Sequence, residues 1–242
     1  MSSSPCGNEE RICAARSVSL SVRAGRRVRR RATSGHVNRP AQDCPCDTCR
    51  VPKLIADVAA TGTVASSDQP TLVIDDDLIL RPFDDDDVEA VVTAFSTPDI
   101  QYFHFRSLDH DEALQWIEEC RQGWRSERAA TWAITQRINH HVVGRVTTYL
   151  SLADGRGEVS YWVLPETRQR RVATRACRSA TQWAHSIGIH RVELQHSTRN
   201  EGSRHVAIAA GFVREGIQRG ATIHADGWHD MVLYAHISTD EP

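Results

Sequence analysis

Four arginines crowd the twelve residues Pro165-Glu166-Thr167-Arg168-Gln169-Arg170-Arg171-Val172-Ala173-Thr174-Arg175-Ala176. An apolar stretch at 159–164 leads into this turn, and a helical pattern starts at Val172. The first N–H groups of a helix have no intrahelical acceptor and point outward, so the turn is suited to cradle a phosphate or pyrophosphate. Asn200-Glu201-Gly202-Ser203 and Gly211-Phe212 follow at a spacing that suggests a nucleotide-tailed cofactor on an α/β scaffold.

Other reactive residue types are set aside on spacing. Cys44, Cys46 and Cys49, with His36 nearby, could be read as metal ligands, but zinc sites usually need two well-separated ligand pairs, and no metal is expected. Cys120 and Cys177 fall inside helical patterns as small apolar residues. Cys177 has no His or Asp spaced to activate it as a nucleophile. Five of the seven cysteines lie in the first 50 residues, so the rest carries no disulfide framework. That fits a reducing compartment, and the expected location is cytoplasmic. No apolar run approaches the roughly 20 residues that span a bilayer, so a soluble protein without a membrane partner is expected.

Charge is unevenly distributed. Residues 1–70 hold eleven Arg and Lys against six Asp and Glu, leaving 18 basic and 25 acidic residues in 71–242. An acidic domain attracts cationic partners such as amines and disfavours nucleic acid. The single lysine, Lys53, stands against 28 arginines and reads as a coding bias. Residues 1–70 are rich in Ser, Arg, Ala and Pro without periodicity, and are read as a disordered basic tail before a folded domain at 71–240. The arginine run at 26–31 reads as a solvated tail or an over-extended start. Its rivals are a transit peptide and a membrane or nucleic-acid contact.

The elements that must position the turn follow from periodicity. A first strand at 78–83 ends at Pro82, and Asp84 to Asp87 cap a helix carrying Val88, Val91, Val92 and Phe95. A second helix covers 109–125, with Ala113, Trp116, Ile117, Cys120 and Trp124 on one face. Strands at 131–135 and 142–150 flank an Asn139-His140 turn, and a third follows at 158–164. A helix over 172–186 stops near Gly188; then come a strand at 191–195, a short helix at 203–210 and two closing strands at 212–217 and 231–237.

This order of elements resembles the GNAT fold of acetyl-CoA-dependent N-acetyltransferases over about residues 75–238, and its details are most similar to the RimJ/RimL-type branch. The resemblance is carried by Leu80-Arg81-Pro82, Tyr161-Trp162-Val163, Asn200, Ser203, Gly211-Phe212, and Gly216 with Gly227-Trp228-His229-Asp230 and Tyr234. It implies an α/β (α+β) domain built on a mixed, mostly antiparallel sheet. The superfamily's pyrophosphate motif, Gln/Arg-x-x-Gly-x-Gly/Ala, maps to Arg168-Gln169-Arg170-Arg171-Val172-Ala173. Arg168 and Ala173 fit, whereas Arg171 replaces the expected glycine and Gln169 a frequent one. A side chain forced into a left-handed conformation costs roughly 1–2 kcal/mol. Arg168, Arg170 and Arg171 can offset that loss through charge-assisted bonds to phosphate.

The resemblance implies direct acetyl transfer from acetyl-CoA to a primary amine, either a protein N-terminus or a small molecule. Backbone N–H groups at Trp162, Val163 and Leu164 would polarise the carbonyl, and residues 168 to 174, Thr174 included, would hold the diphosphate. Asn200 matches the asparagine that bonds the pantetheine arm or a neighbouring loop. A tyrosine seven residues later, which protonates the departing thiolate in many relatives, is Ala207 here. The RimL-like substitute for that proton donor is Ser203, which also suits a helix N-cap. Glu158 is the candidate general base beside a strand-edge role, with His229 and Asp230 as alternatives. A homodimer is among the oligomeric states left open. The alternatives from other classes are an inactive acyl-CoA-binding relative, favoured by Arg171 and Ala207, and nucleic-acid binding through 23–31.

Overall fold

A computed structural model describes residues 55–240. The chain enters through β1 (Leu72–Val73) and β2 (Leu78–Pro82), where Pro82 has no N–H for further ladder bonding. A short 3₁₀ turn at Asp85–Asp87 follows. Asp84 Oδ1 accepts from the Asp86 N–H at 3.1 Å, and Asp87 Oδ2 accepts from the Asp84 N–H at 3.0 Å. The acidic run is thus a capping device, as expected, and Asp87 also grips the Arg81 guanidinium through two bonds of 2.7 Å.

Helices α1 (Val88–Ser96), α2 (Pro98–His104) and α3 (His110–Arg125) come next. The sequence reading did not separate α2. Thr97 is extended and Pro98 takes the first helical turn, so the chain stops and restarts within two residues. Strands β3 (Ala129–Gln136), β4 (Val142–Ser151) and β5 (Arg156–Val163) form a meander. Then follow α4 (Val172–Ser186), β6 (Arg191–Ser197), α5 (Glu201–Ala209), β7 (Val213–His224) and β8 (Gly227–Ile237).

The eight strands form one sheet in the order β1-β2-β3-β4-β5-β6-β8-β7. Only β5 and β6 run parallel, joined by the α4 crossover; the expected mixed, mostly antiparallel sheet is what is seen. The closing hairpin is far longer than the strands expected at 212–217 and 231–237. Register shifts between Arg214 and Gly216 and between Gln218 and Thr222 interrupt its alternation and hid its length.

The core has two parts. On one face Trp132, Trp183 and Trp124 pack with Ala176, Ala180, Ile189 and Leu194, and the Trp132 and Trp183 rings meet edge to face at 4.8 Å. On the other, Phe83, Phe95 and Trp116 pack against Trp162 and Leu164. Strand alternation produces this division: Ala130, Trp132 and Ile134 turn to the first face and Ala133 to the second.

The domain boundary expected at residue 70 is corrected. Residues 55–70 lie against the sheet, with Ala59 and Val64 buried in the first core. Trp124 Nε1 donates to Ser67 O at 2.9 Å, and Trp132 Nε1 donates to Pro70 O at 2.8 Å. The Glu127 carboxylate accepts from the N–H groups of Gly62, Val64 and Ala65 at 2.6, 2.7 and 3.0 Å. A segment without periodicity is held here by side chains of the domain that bond its backbone, which composition does not reveal. The arginines at 26–31, His36 and the cysteines at 44–49 lie outside the described residues. Among the described residues no helix is long and apolar enough to cross a membrane.

Candidate active site

The site begins where two strands part. β5 pairs with β6 only at Arg156–Arg191, Gly157–Val192 and Glu158–Glu193, while it follows β4 along its whole length. In an antiparallel ladder alternate residues turn both backbone groups to the same neighbour. Leu164 N donates to Val143 O at 3.0 Å, so Leu164 and Trp162 face β4. Gly144 permits this close approach: a Cβ there would lie 2.6 Å from Trp162 O. Tyr161 and Val163 therefore face the gap. The expectation that Trp162, Val163 and Leu164 would all present amides is corrected to Val163, since Leu164 is buried with its N–H spent. The carbonyls on the gap side are taken, Tyr161 O by His104 Nε2–H at 3.2 Å and Val163 O by Arg168 Nε–H at 3.3 Å. That leaves N–H groups as the open backbone functions. Burial, reinforced by the Arg145 charge, lowers the His104 pKa to about 3, so this ring stays neutral.

The turn after β5 takes the conformation that glycine would favour. Gln169 has φ 63° and Arg171 φ 56°, both left-handed, and Arg171 is the N-cap of α4. No side chain caps this helix start, and its first bond runs from Arg175 N to Arg171 O. The N–H groups of Val172, Ala173 and Thr174 are consequently without intrahelical partners. They border a cavity of about 640 Å³ also lined by Trp162, Val163, Arg168, Gln169, Arg171, Asn200 and Ser203. Arg171 is exposed on its wall and leaves the cavity open. Arg168 is less free than expected, because its guanidinium bonds Asp99 on α2 at 2.7 Å. Arg170 is exposed and outside the lining. Arg175, not singled out from sequence, ties the first turn of α4 to Asp75 at 2.6 Å and Asp77 at 3.3 Å.

Asn200 and Ser203 meet at the start of α5, with their roles sorted. Asn200 is the N-cap, its Oδ1 accepting from Ser203 N at 3.0 Å, so the Ser203 hydroxyl is not the cap. That hydroxyl instead accepts from Tyr161 OH at 2.9 Å. Ala207, where many relatives carry a tyrosine, is fully buried. Tyr161 brings a phenol to Ser203 from β5, an assignment the sequence reading missed although the residue lay in a quoted motif. Burial and the neighbouring Cys177 raise the phenol's pKa despite the bond to Ser203, so it stays protonated. Cys177 is buried in α4, and its thiol pKa is pushed up by burial, which suits packing and not attack.

Beyond this pair lies a second cavity of about 260 Å³, lined among others by Phe103, Phe105, Glu158, Ser160, Tyr161, Ser203, His224 and Met231. Tyr161, Asn200 and Ser203 border both cavities. Glu158 faces the second, not the first. It keeps an accessible surface inside the concavity but is crowded by protein. That desolvation, with the Glu193 charge beside it, raises its pKa. His229 and Asp230 are structural. Both His229 ring nitrogens are taken, by Ser197 Oγ at 2.7 Å and Asp226 Oδ1 at 2.8 Å, and Asp230 Oδ1 accepts from Gly220 N at 2.7 Å. No group of metal-ligating side chains is found among the described residues.

Residues 77–213 match the family described as Acetyltransferase (GNAT) domain. The chain belongs to the GNAT acetyltransferase family. It is 26% identical over 170 residues to the uncharacterized N-acetyltransferase YoaA of Bacillus subtilis (strain 168), covering 69% of this chain and 96% of that protein. Among solved structures it is similar to the acetyltransferase of Salmonella typhimurium that modifies the N-terminal serine of ribosomal protein L7/L12. That match has a TM-score of 0.63 at 17% identity and covers 69% of this chain and 99% of the other. The microcin C7 self-immunity acetyltransferase MccE, solved with acetyl-CoA and AMP, superposes with a TM-score of 0.62 at 18% identity, over 68% and 94% of the two chains. The fold is that of the RimJ/RimL-like GNAT proteins, and the chain is an acyltransferase of a family that uses acetyl-CoA.

Proposed function

We propose that this GNAT protein transfers an acetyl group from acetyl-CoA to a primary amine, through the folded domain and the packed segment that precedes residue 71. The observation that carries the reading is the Tyr161–Ser203 hydrogen bond, set on the wall shared by a large cavity beside free helix N–H groups and a small cavity containing a carboxylate. Acetyl-CoA supplies the activated acyl group. The N–H groups of Val172, Ala173 and Thr174 suit its diphosphate, and the left-handed Gln169 and Arg171 aim them into the cavity. The Val163 N–H opens onto the strand gap, where charge would develop on the carbonyl oxygen. Glu158 draws the cationic acceptor into the smaller cavity. As the neutral amine's nitrogen bonds to carbon and the C–S bond breaks, Ser203 gives its proton to the sulfur. The proton released by the amine restores Ser203 through solvent, and Tyr161 stays protonated and holds the Ser203 oxygen.

An inactive CoA-binding relative was the alternative favoured by the missing glycines. The turn keeps the glycine-like backbone without them, which supports the active reading. The acceptor is proposed to be a protein N-terminus or a small amine. The test follows free-thiol release from acetyl-CoA by the full chain with peptides starting in Ser or Ala, a polyamine and phenethylamine. Amine-dependent thiol release with a matching acetylated product is expected. CoA binding with no release for any amine would overturn acetyl transfer in favour of the non-catalytic alternative.

A further inference from the structure

His224 closes β7 at the rim of the smaller cavity, and sequence reasoning did not single it out. It is only 6% exposed. Its Nδ1 lies 3.4 Å from Tyr102 O, and a carbonyl can only accept, so the proton sits on Nδ1. Nε2 is then a lone-pair acceptor, and it is buried with no hydrogen-bond partner. A buried polar nitrogen left unpaired is costly unless something binds it.

The ring is held firmly. It stacks on His229 with centroids 3.9 Å apart and planes at 15°, and Phe105 lies edge-on at 4.7 Å. His229 is fixed in turn by Asp226 and Ser197. Its neighbours thus constrain orientation while leaving one buried nitrogen of His224 unused, on a residue that lines the cavity together with Glu158, Tyr161 and Ser203.

We propose that His224 Nε2 is the base that takes the proton from the acceptor amine, an assignment that rests on the acetyl-transfer reading. The nitrogen bonds to the acetyl carbon and the C–S bond breaks. The amine's proton passes to His224 Nε2, the sulfur receives its proton from Ser203, and solvent carries the proton from His224 back to Ser203. The charges around the ring suit this duty. Burial and the neighbouring His229 lower the His224 pKa, and Arg199 adds to that, while the Tyr102 carbonyl and Asp226 oppose it. Glu158 faces the same space and is the only carboxylate of the lining among the described residues. With its pKa below the ordinary histidine value, the ring is neutral and able to accept a proton at neutral pH. The aromatic walls, Phe103 and Phe105, fit an amine carried on an apolar or aromatic body.

The test uses His224→Asn, which keeps a donor for the Tyr102 carbonyl and removes the Nε2 lone pair. With phenethylamine and Ser-initiated peptides as acceptors, kcat/KM is expected to fall about 10²-fold. The acid limb of the native pH profile should vanish, and acetyl-CoA affinity should be unchanged. Added imidazole should restore part of the rate. In ¹⁵N-histidine spectra of the full chain, assigned with the same variant, His224 should appear as the Nδ1–H form. Native turnover with an unaltered rate and pH profile in His224→Asn overturns the His224 assignment. A protonated Nε2 in the neutral native ring does so as well. A native protein that transfers to no amine overturns the acetyl-transfer reading itself.

Discussion

The Tyr161 hydroxyl donates to Ser203 Oγ over 2.9 Å, joining a strand residue to a helix residue 42 positions away. The bond consumes one acceptor site on Ser203 and leaves its own proton free to point at a departing sulfur. Ser203→Ala is expected to lower kcat about 10²-fold, because the thiolate then leaves unprotonated. Tyr161→Phe should lower kcat as well, with KM for acetyl-CoA unchanged in both variants. Steady-state kinetics check the split, and a rise in KM alone would mean that the pair only binds.

Gln169 and Arg171 both occupy left-handed backbone without being glycine. Replacing either by Gly should relieve about 1 kcal/mol of strain and raise Tm by about 2–4 °C. Because backbone N–H groups supply the grip and an exposed charge contributes little, Arg171→Gly should keep CoA affinity within about threefold. Differential scanning fluorimetry and calorimetry report the two effects. A larger loss of affinity would shift the grip from the backbone to the Arg171 side chain.

Much of this site was legible in the chain. Arginine density at 168–175, the Asn200 and Ser203 spacing and the α4 periodicity marked the cofactor side, because local order sets a turn and the helix that follows it. The acceptor side was not legible. His224 enters the cavity only because the closing hairpin extends to an Ala225-Asp226 turn, and bulges concealed that length. The Ala225-Asp226-Gly227 stretch was the available signal, since Asp and Gly favour turns, and Gly227, at φ 117°, opens β8 directly after the two-residue turn. Tyr161 was seen in its motif, but its meeting with Ser203 depends on the gap between β5 and β6, a long-range property of the sheet. The packing of 55–70 depends on Glu127, whose left-handed φ of 56° aims a carboxylate at three amides.

Glu127 also makes a pH prediction. Slight burial pushes its carboxyl up, but the three N–H donors outweigh this and hold its pKa below the ordinary glutamate value. A depressed carboxylate contributes stability that is present above the unfolded pKa and lost as pH falls through the folded one. Glu127→Gln should therefore cost about 1–2 kcal/mol near neutrality and progressively less in acid. Urea unfolding across that range checks the convergence; parallel curves would contradict it.

His104 works in the same direction through a different cause. Burial first, then Arg145, lowers its pKa from 6.5 to about 3. The folded state refuses a proton that the unfolded chain accepts below about 6.5, so stability falls as pH drops from there toward about 3. His104→Gln should flatten this part of the stability–pH curve while retaining a donor to Tyr161 O. An unchanged slope in the variant would show that other groups set the acid sensitivity.

Acetyl transfer at this site depends most on the grip of the α4 N-terminus on the diphosphate of CoA, and titration calorimetry of the full chain with acetyl-CoA tests it directly. We predict saturable one-to-one binding. The ¹⁵N amide signals of Val172, Ala173 and Thr174 should move during the same titration. Absence of heat at millimolar ligand, or binding that leaves those three amides unmoved, would contradict it.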